Sequence, residues 1–319
     1  MIKTTDVGVL LCNIGTPDAP TPSAVKRYLK EFLSDPRVVH LPRFIWQPIL
    51  HGIILPIRSK KSALLYQKIW TKEGSPLLIN SRELTASLEK KLALPVALGM
   101  NYGKPSIEEA LNALRQKKIT QLLILPLYPQ YSKTTTASTF DRISAVFKKW
   151  DNTPTLHRIH DYADHPNYIQ AISQSISSSW EKEGRAPHLL FSFHGIPKRY
   201  IKEGDPYEER CKITVSHIVK ELKLRPGEYS LTFQSRLGKA RWLTPYTDQT
   251  LIALAQQGLT HVDIVCPGFP VDCLETIEEI AIRGKELFLK NGGKQFHYIP
   301  ALNNTAHHVE MLVSILNTL

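Results

Sequence analysis

The sequence predicts an α/β protein of two similar doubly wound lobes, each a parallel sheet flanked by helices. Three observations predict it. Short apolar runs alternate with amphipathic helical patterns, the signature of parallel strands joined by crossover helices. There are four such runs in each half, with a seam near Trp150–Pro154. And 319 residues are enough for two lobes of ordinary size. The lobes are placed at residues 1–150 and 151–304, with a last helix over 305–319 crossing back onto the first.

In chain order, the first half has strand-like runs at Val7–Asn13, Val96–Met100, Gln121–Leu127 and Leu156–His160. The second has Leu189–His194, Ser230–Phe233, Val262–Val265 and Phe296–Ile299. Helical periodicity falls between them over Ser23–Leu33, Ser81–Leu92, Ile107–Lys117, Tyr168–Trp180, Glu208–Leu222 and Asp248–Gln257. No GxGxxG follows the first strand and no GxxxxGK[ST] occurs, so dinucleotide and P-loop chemistry are not expected. Ser192 is not in a GxSxG elbow, which argues against a serine hydrolase.

Composition bounds the partners. A hydrophobic share of 42% with 22% charged residues is that of an ordered globular protein. The net charge of +11 admits nucleic acid, an anionic membrane surface or acidic substrates. The basic residues are dispersed and no nucleic-acid motif accompanies them, so no nucleic-acid partner is expected. Cys12, Cys211, Cys266 and Cys273 form no CxxC pair, as suits free thiols in a reducing cytoplasm. The run Val7–Cys12 is too short for a signal peptide and has no small-residue cleavage site after it. Leu41–Ile57 is the other long apolar stretch; three prolines, a glycine and an arginine keep it from crossing a bilayer.

Chemistry gathers at strand ends, where α/β sheets bind ligands. The run Val262–Val265 is broken by Pro267, Gly268 and Pro270, and a helix follows with Asp272 as N-cap and Glu275 at capping-box spacing. Its apolar stripe is Ile277, Ile280, Ala281, Gly284 and Phe288, which turns Glu275 and Glu279 to the other side. Two readings stay open: the glutamates answer the helix dipole, or they belong to a site. Tyr128–Thr136 is an aromatic and hydroxyl cluster after the third strand. His194 ends an apolar strand before Gly195, as a structural histidine or a catalytic one. With Glu275 it makes a proton acceptor and borderline-soft ligands for a divalent metal. The residues lack structural-zinc spacing, so the pair is an open site handling metal and protons transiently.

Five separated motifs then carry a resemblance: Leu11–Pro17, Tyr128–Ser132, Ser192–Pro197, Gln234–Gly238 with Trp242-Leu243, and Asp272–Thr276. In this order, over about residues 7–315, the sequence resembles ferrochelatase. The resemblance implies a chelatase-like fold with an active-site cleft between the two lobes, and a lyase that inserts ferrous iron into protoporphyrin IX to form protohaem, the last step of haem synthesis. It implies that His194, Glu275 and Glu279 are catalytic, with His194 and Glu275 also meeting the metal. It implies porphyrin contacts at Ile14, Arg58, Tyr66, Ser75, Tyr128, Ser132, Thr134 and Trp242. Leu41–Ile57 matches the family's hydrophobic lip, and with Arg58, Lys60 and Lys61 beside it the expectation is a cytoplasmic protein with weak peripheral contact to an anionic membrane.

Three residues depart from relatives. Cys273 stands where some have a second histidine, Arg283 where they have a third acid, and Lys133 where some have a cluster-ligating cysteine. The sequence ends without a cysteine-bearing tail, so no iron–sulfur cluster is expected. Iron is then a substrate, and no cofactor is permanently bound. A chelatase for cobalt or nickel and another tetrapyrrole would share His194 and Glu275. A non-catalytic tetrapyrrole carrier would share the cleft without needing the acids.

Overall fold

The computed structural model describes residues 6–236, 238 and 240–318. Met1–Thr5 of the first lobe, Leu237 of the fourth motif and Leu319 of the last helix lie outside the described residues. The chain divides into two units, the first running to Asp161 and resuming at Asn304, the second spanning Tyr162–Asn303.

In the first unit β1 (Val7–Thr16) is followed by α1 (Pro22–Leu33), α2 (Arg43–Ile49), a π-helical turn over Leu50–Ile54, α3 (Leu55–Ile69) and α4 (Pro76–Leu92). Then come β2 (Val96–Gly103), α5 (Ile107–Gln116), β3 (Gln121–Pro126), a π-helical turn over Lys133–Ala137, α6 (Ser138–Phe147) and β4 (Thr155–Arg158). The four strands are parallel in the order β2-β1-β3-β4. Val9, Leu10, Leu11 and Cys12 are all fully buried, because a parallel sheet is covered on both faces. Leu10, Cys12, Leu122 and Ile124 pack with Ile107, Leu111 and Leu114 of α5 and Ile143, Val146 and Phe147 of α6. Burying each such side chain contributes about 1.5–3 kcal/mol. Helix α5 starts in a complete capping box between Ser106 and Glu109.

The second unit contains α7 (Pro166–Glu183), β5 (Leu189–His194), α8 (Lys198–Lys202), α9 (Tyr207–Glu221), β6 (Tyr229–Gln234), α10 (Thr247–Gln256) and β7 (His261–Val265). A π-helical stretch over Glu275–Gly284, α11 (Lys285–Lys290) and β8 (Gln295–Ile299) complete it. The parallel order is β6-β5-β7-β8. Leu190, Val262 and Ile264 pack with Leu251 and Ala255 of α10 and with Ile280 and Phe288 of the helix that continues into α11. The last helix, α12 (Ala306–Leu316), packs on α4 of the first unit.

The structure corrects several expectations. The division falls at Asp161, not at residue 150, because β4 pairs with β3 through Gln121↔Thr155 to Ile124↔Arg158. The Tyr131 N–H also donates to Asp161 at 2.7 Å. Strand β1 runs on to Thr16, three residues past the apolar run Val7–Asn13, and so includes Gly15. Gly15 has φ +102°, and a Cβ there would lie 1.7 Å from the Tyr102 carbonyl oxygen, so only glycine fits this pairing.

The helix after Pro270 is π-helical over ten residues, with one extra residue in each hydrogen-bonded turn. No capping box opens it. The Asp272 N–H donates to Asn303 Oδ1 at 2.8 Å, while its carboxylate accepts from Thr276, Tyr298 and Asn303 at 2.9, 2.6 and 2.7 Å. Leu41–Ile57 is largely helical. Trp46 ties it to the end of α1 by donating to the Leu33 carbonyl at 2.6 Å, and Leu50 and Leu55 are fully buried. Phe44 and Ile53 beside them are 80% and 55% exposed. No helix among the described residues is long and apolar enough to cross a membrane.

Candidate active site

Each sheet reverses its strand order beside its first strand, between β1 and β3 and between β5 and β7. That switch point, outside the carboxyl ends, is where a doubly wound sheet opens a crevice. The expected site residues of the second unit follow from this. His194 is the last residue of β5, and the loop leaving β7 leads to Glu275 and Glu279.

His194 is half-buried, and its Nδ1 lies 2.7 Å from the Gly195 carbonyl oxygen. A carbonyl only accepts, so Nδ1 carries the proton and the lone pair of the neutral ring is on Nε2. The ring lies 6.5 Å from that of Phe269, on the loop between β7 and the glutamates.

Glu279 is held from one side. The Ser235 N–H donates to its Oε1 at 2.9 Å and the Ser235 hydroxyl donates to its Oε2. Ser235 adopts a left-handed φ of +62°, at a cost of about 1–2 kcal/mol for a non-glycine residue. Two hydrogen bonds to a carboxylate, each contributing about 1.5–3 kcal/mol, offset that cost. Ionised Glu279 therefore steadies the turn after β6. Glu275 is half-buried beside the Cys273 thiol, which is pushed well up, first by burial and then by the Glu275 charge. Arg283 is half-exposed and pairs at 3.0 Å with Glu278, which is itself buried. Among the described residues no three His, Cys, Asp or Glu side chains converge as a metal site.

The first unit carries most of the expected porphyrin contacts. Ile14 lies near the end of β1 and Tyr128 two residues past the adjacent β3, where the Leu127 N–H donates to the Cys12 carbonyl at 2.7 Å. The Tyr128 hydroxyl is buried and pushed well up by that burial, so the residue offers its ring and not its oxygen. Ser75 precedes α4 and accepts from Thr16 at 2.8 Å, which fixes the start of α4 at the end of β1. Ser132 is buried and accepts from the Thr134 N–H at 3.2 Å, while the two hydroxyls lie 2.9 Å apart. Both serine oxygens are thus engaged within the unit. Tyr66 is buried edge-on to Trp70 on α3. Arg58, also on α3, is half-buried, and burial lowers the pKa of its guanidinium. No carboxylate pairs with it among the described residues, so an arriving anion would relieve a desolvated charge. Trp242 belongs to the second unit and bridges to Pro197, three residues past His194.

Sequence reasoning assigned Asp272 to the wrong task and passed over Gln234 and Ser235 as site residues. Both lie in a quoted motif, and Gln234 ends the strand beside His194, which was the available signal.

The model of the Ferrochelatase family matches residues 6–318. A protein named ferrochelatase from Aeromonas hydrophila is 49% identical over 318 residues, covering 98% of each chain. Its namesake from Klebsiella pneumoniae is 50% identical over 312 residues, again covering 98% of each. Among solved structures, SirB from Bacillus subtilis with Fe3+ is similar at a TM-score of 0.59 and 10% identity, over 98% of this chain and 94% of that one. The sirohydrochlorin chelatase SirB of subspecies spizizenii, in complex with cobalt, has a TM-score of 0.55 at 11% identity with the same coverage. At such identity the likeness is one of fold.

Proposed function

The chain belongs to the ferrochelatase family, and from that premise we propose that His194, Glu275 and Glu279 are the groups with which it inserts ferrous iron into protoporphyrin IX and releases two protons. The observation that carries the assignment is the 2.7 Å contact of His194 Nδ1 with the Gly195 carbonyl oxygen, which leaves the Nε2 lone pair to accept.

A planar porphyrin holds its two N–H protons and its nitrogen lone pairs in one plane. Bending the ring lifts a lone pair toward the metal and an N–H toward a base, and binding energy from the rest of the macrocycle supplies the strain. Neutral His194 takes the two pyrrole protons on Nε2 one at a time, each making an imidazolium that Nδ1 keeps oriented on the Gly195 carbonyl until the proton is passed on. Glu275 and Glu279, one turn apart on the π-helical stretch, carry the proton outward or present the divalent ion. Ferrous iron is a substrate in this scheme, and the chain's own residues need no resident cofactor or iron–sulfur cluster.

For the porphyrin, Ile14 and the Tyr128 ring supply apolar surface, and Arg58 is suited to a propionate. Tyr66, Ser75, Ser132 and Thr134 shape the rim, and Trp242 supplies an aromatic edge beside the His194 loop. The exposed apolar residues of α2 and the following turn, with Lys60 and Lys61 nearby, are suited to weak contact with an anionic membrane from the cytoplasmic side, each lysine contributing about 1 kcal/mol at such a surface.

The test is anaerobic addition of ferrous iron to the protein with protoporphyrin, read by loss of porphyrin fluorescence. Many turnovers per protein are expected. Stoichiometric quenching alone would mean a carrier, and activity confined to another tetrapyrrole would mean a different chelatase.

A further inference from the structure

Gln234 ends β6 opposite His194 in the parallel register and is only 5% exposed. Both ends of its amide are used. Oε1 accepts from the Ser192 hydroxyl at 2.7 Å and from the Cys266 thiol at 3.6 Å. Nε2 donates to the main-chain oxygen of Glu275 at 2.8 Å and approaches Glu279 Oε2 at 3.5 Å. A carbonyl and a carboxylate only accept, so the NH2 end must face the glutamates. The other end is rooted in buried hydroxyls, with Thr247 lying 2.8 Å from Ser192 and 2.9 Å from Thr232. One side chain thus ties the helix that carries both glutamates to the strand beside His194, and holds it at that helix's first residue.

We propose that Gln234 is a positioning residue for metal insertion, setting Glu275 and Glu279 in place relative to His194. This rests on the assignment of the two glutamates made above. A packing role alone would need neither end of the amide, and a methionine of similar length would fill the same space. Positioning needs both ends, because Oε1 anchors the group and Nε2 reaches the helix.

The test compares Gln234→Met and Gln234→Glu with the wild type for kcat, porphyrin KM and the pH profile of kcat. In Gln234→Met, kcat falls about tenfold to a hundredfold, the cost of a displaced catalytic group, while KM stays within about twofold. In Gln234→Glu a new carboxylate beside Glu279 resists ionisation of the pair, so the acid limb of the profile moves to higher pH. The double variant Gln234→Met/Glu279→Gln loses less than the product of its two single losses, because the residues act as a unit. Should Gln234→Met fail to fold, Ser192→Ala keeps the amide but withdraws the hydroxyl that anchors Oε1, together with its contact to Thr247, and lowers kcat less, again at constant KM.

Wild-type kcat in Gln234→Met with an unmoved acid limb in Gln234→Glu overturns the proposal, even if Glu275→Gln and Glu279→Gln are inactive. Full activity in Glu275→Gln and Glu279→Gln overturns the site assignment first and the proposal with it, whatever the Gln234 variants do.

Discussion

The two units repeat one sheet, with the second-numbered strand at one edge and the first beside it, yet different chemistry leaves their switch points. In the first unit the residues at the end of β1 and beyond β3 include amides, hydroxyls and aromatics, several of them bonded within the unit: Asn13 with Ser81, Thr16 with Ser75, Ser132 with Thr134. In the second, a titratable imidazole ends β5 and two carboxylates follow β7. The same topology therefore supports two tasks. The first unit presents shape and, in Arg58, a half-buried guanidinium that no carboxylate pairs among the described residues; the second holds groups able to exchange protons. A doubly wound sheet supplies the place for a site, and the loops supply the chemistry.

The largest effect that would break this division is expected at Glu275. Glu275→Gln keeps size and hydrogen bonding while removing the charge, and an amide is a poor base and a weak ligand. Iron insertion should fall by at least about a hundredfold, the loss typical of a general acid–base group. Anaerobic fluorescence assays check it, and a rate within about threefold of wild type returns Glu275 to answering the helix dipole, worth only about 0.3–1 kcal/mol.

Glu279→Gln should cost less, about tenfold or 1.4 kcal/mol of barrier, because water can bypass a carboxylate further out. Here stability moves too. The Ser235 turn loses its anionic acceptor, so a lowered thermal midpoint is expected alongside the slower rate.

Much of this contrast was legible in the sequence, and the remainder was not for physical reasons. Apolar runs fix buried strands locally, so β5 and β7 read directly, and His194 reads as the end of one. The partners of Asp272 lie 26 and 31 residues away at Tyr298 and Asn303, beyond any capping pattern. The spacing of Ile280, Gly284 and Phe288 suits an α-helix as well as a π-helical one, so the wider turn leaves no periodic trace. The run Leu156–His160 reads as the fourth strand of the first half, so the boundary belongs past β4 at Asp161 and not at the seam near Trp150. Arg58 matched by position alone; its want of a carboxylate partner emerged only in three dimensions.

A further contrast sits at the surface of the first unit. Replacing Phe44 and Ile53 together by serine should abolish co-sedimentation with anionic liposomes and leave iron insertion in solution within about twofold. Each buried apolar side chain of this size contributes about 1.5–3 kcal/mol to such docking. Undiminished sedimentation would remove the membrane contact.

The smallest effect concerns an ion pair in the second unit. The Asp164 carboxyl is held below its usual range, chiefly by its hydrogen bond to Arg210, at 2.8 Å. A depressed carboxylate contributes stability above its unfolded pKa, about 3.9, and loses it as pH falls through the lower folded value. Asp164 is about half exposed, so screening limits the effect to roughly half a kcal/mol. Urea midpoints of Asp164→Asn should fall slightly below wild type at neutral pH and converge with it at the acid end. A gap that widens on acidification would contradict the sign.

The most direct test of the division of labour is a single-turnover comparison of His194→Ala with Arg58→Gln, measuring porphyrin Kd by fluorescence and the insertion rate at saturating porphyrin. His194→Ala should keep its Kd within about twofold and lose at least about a hundredfold in rate, the share expected of a general base. Arg58→Gln should weaken Kd about tenfold, or 1.4 kcal/mol, and keep its rate. If both variants move the same parameter, or if His194→Ala retains more than about a tenth of the rate so that less than ~1.4 kcal/mol of barrier depends on it, the assignment of chemistry to the second unit is wrong.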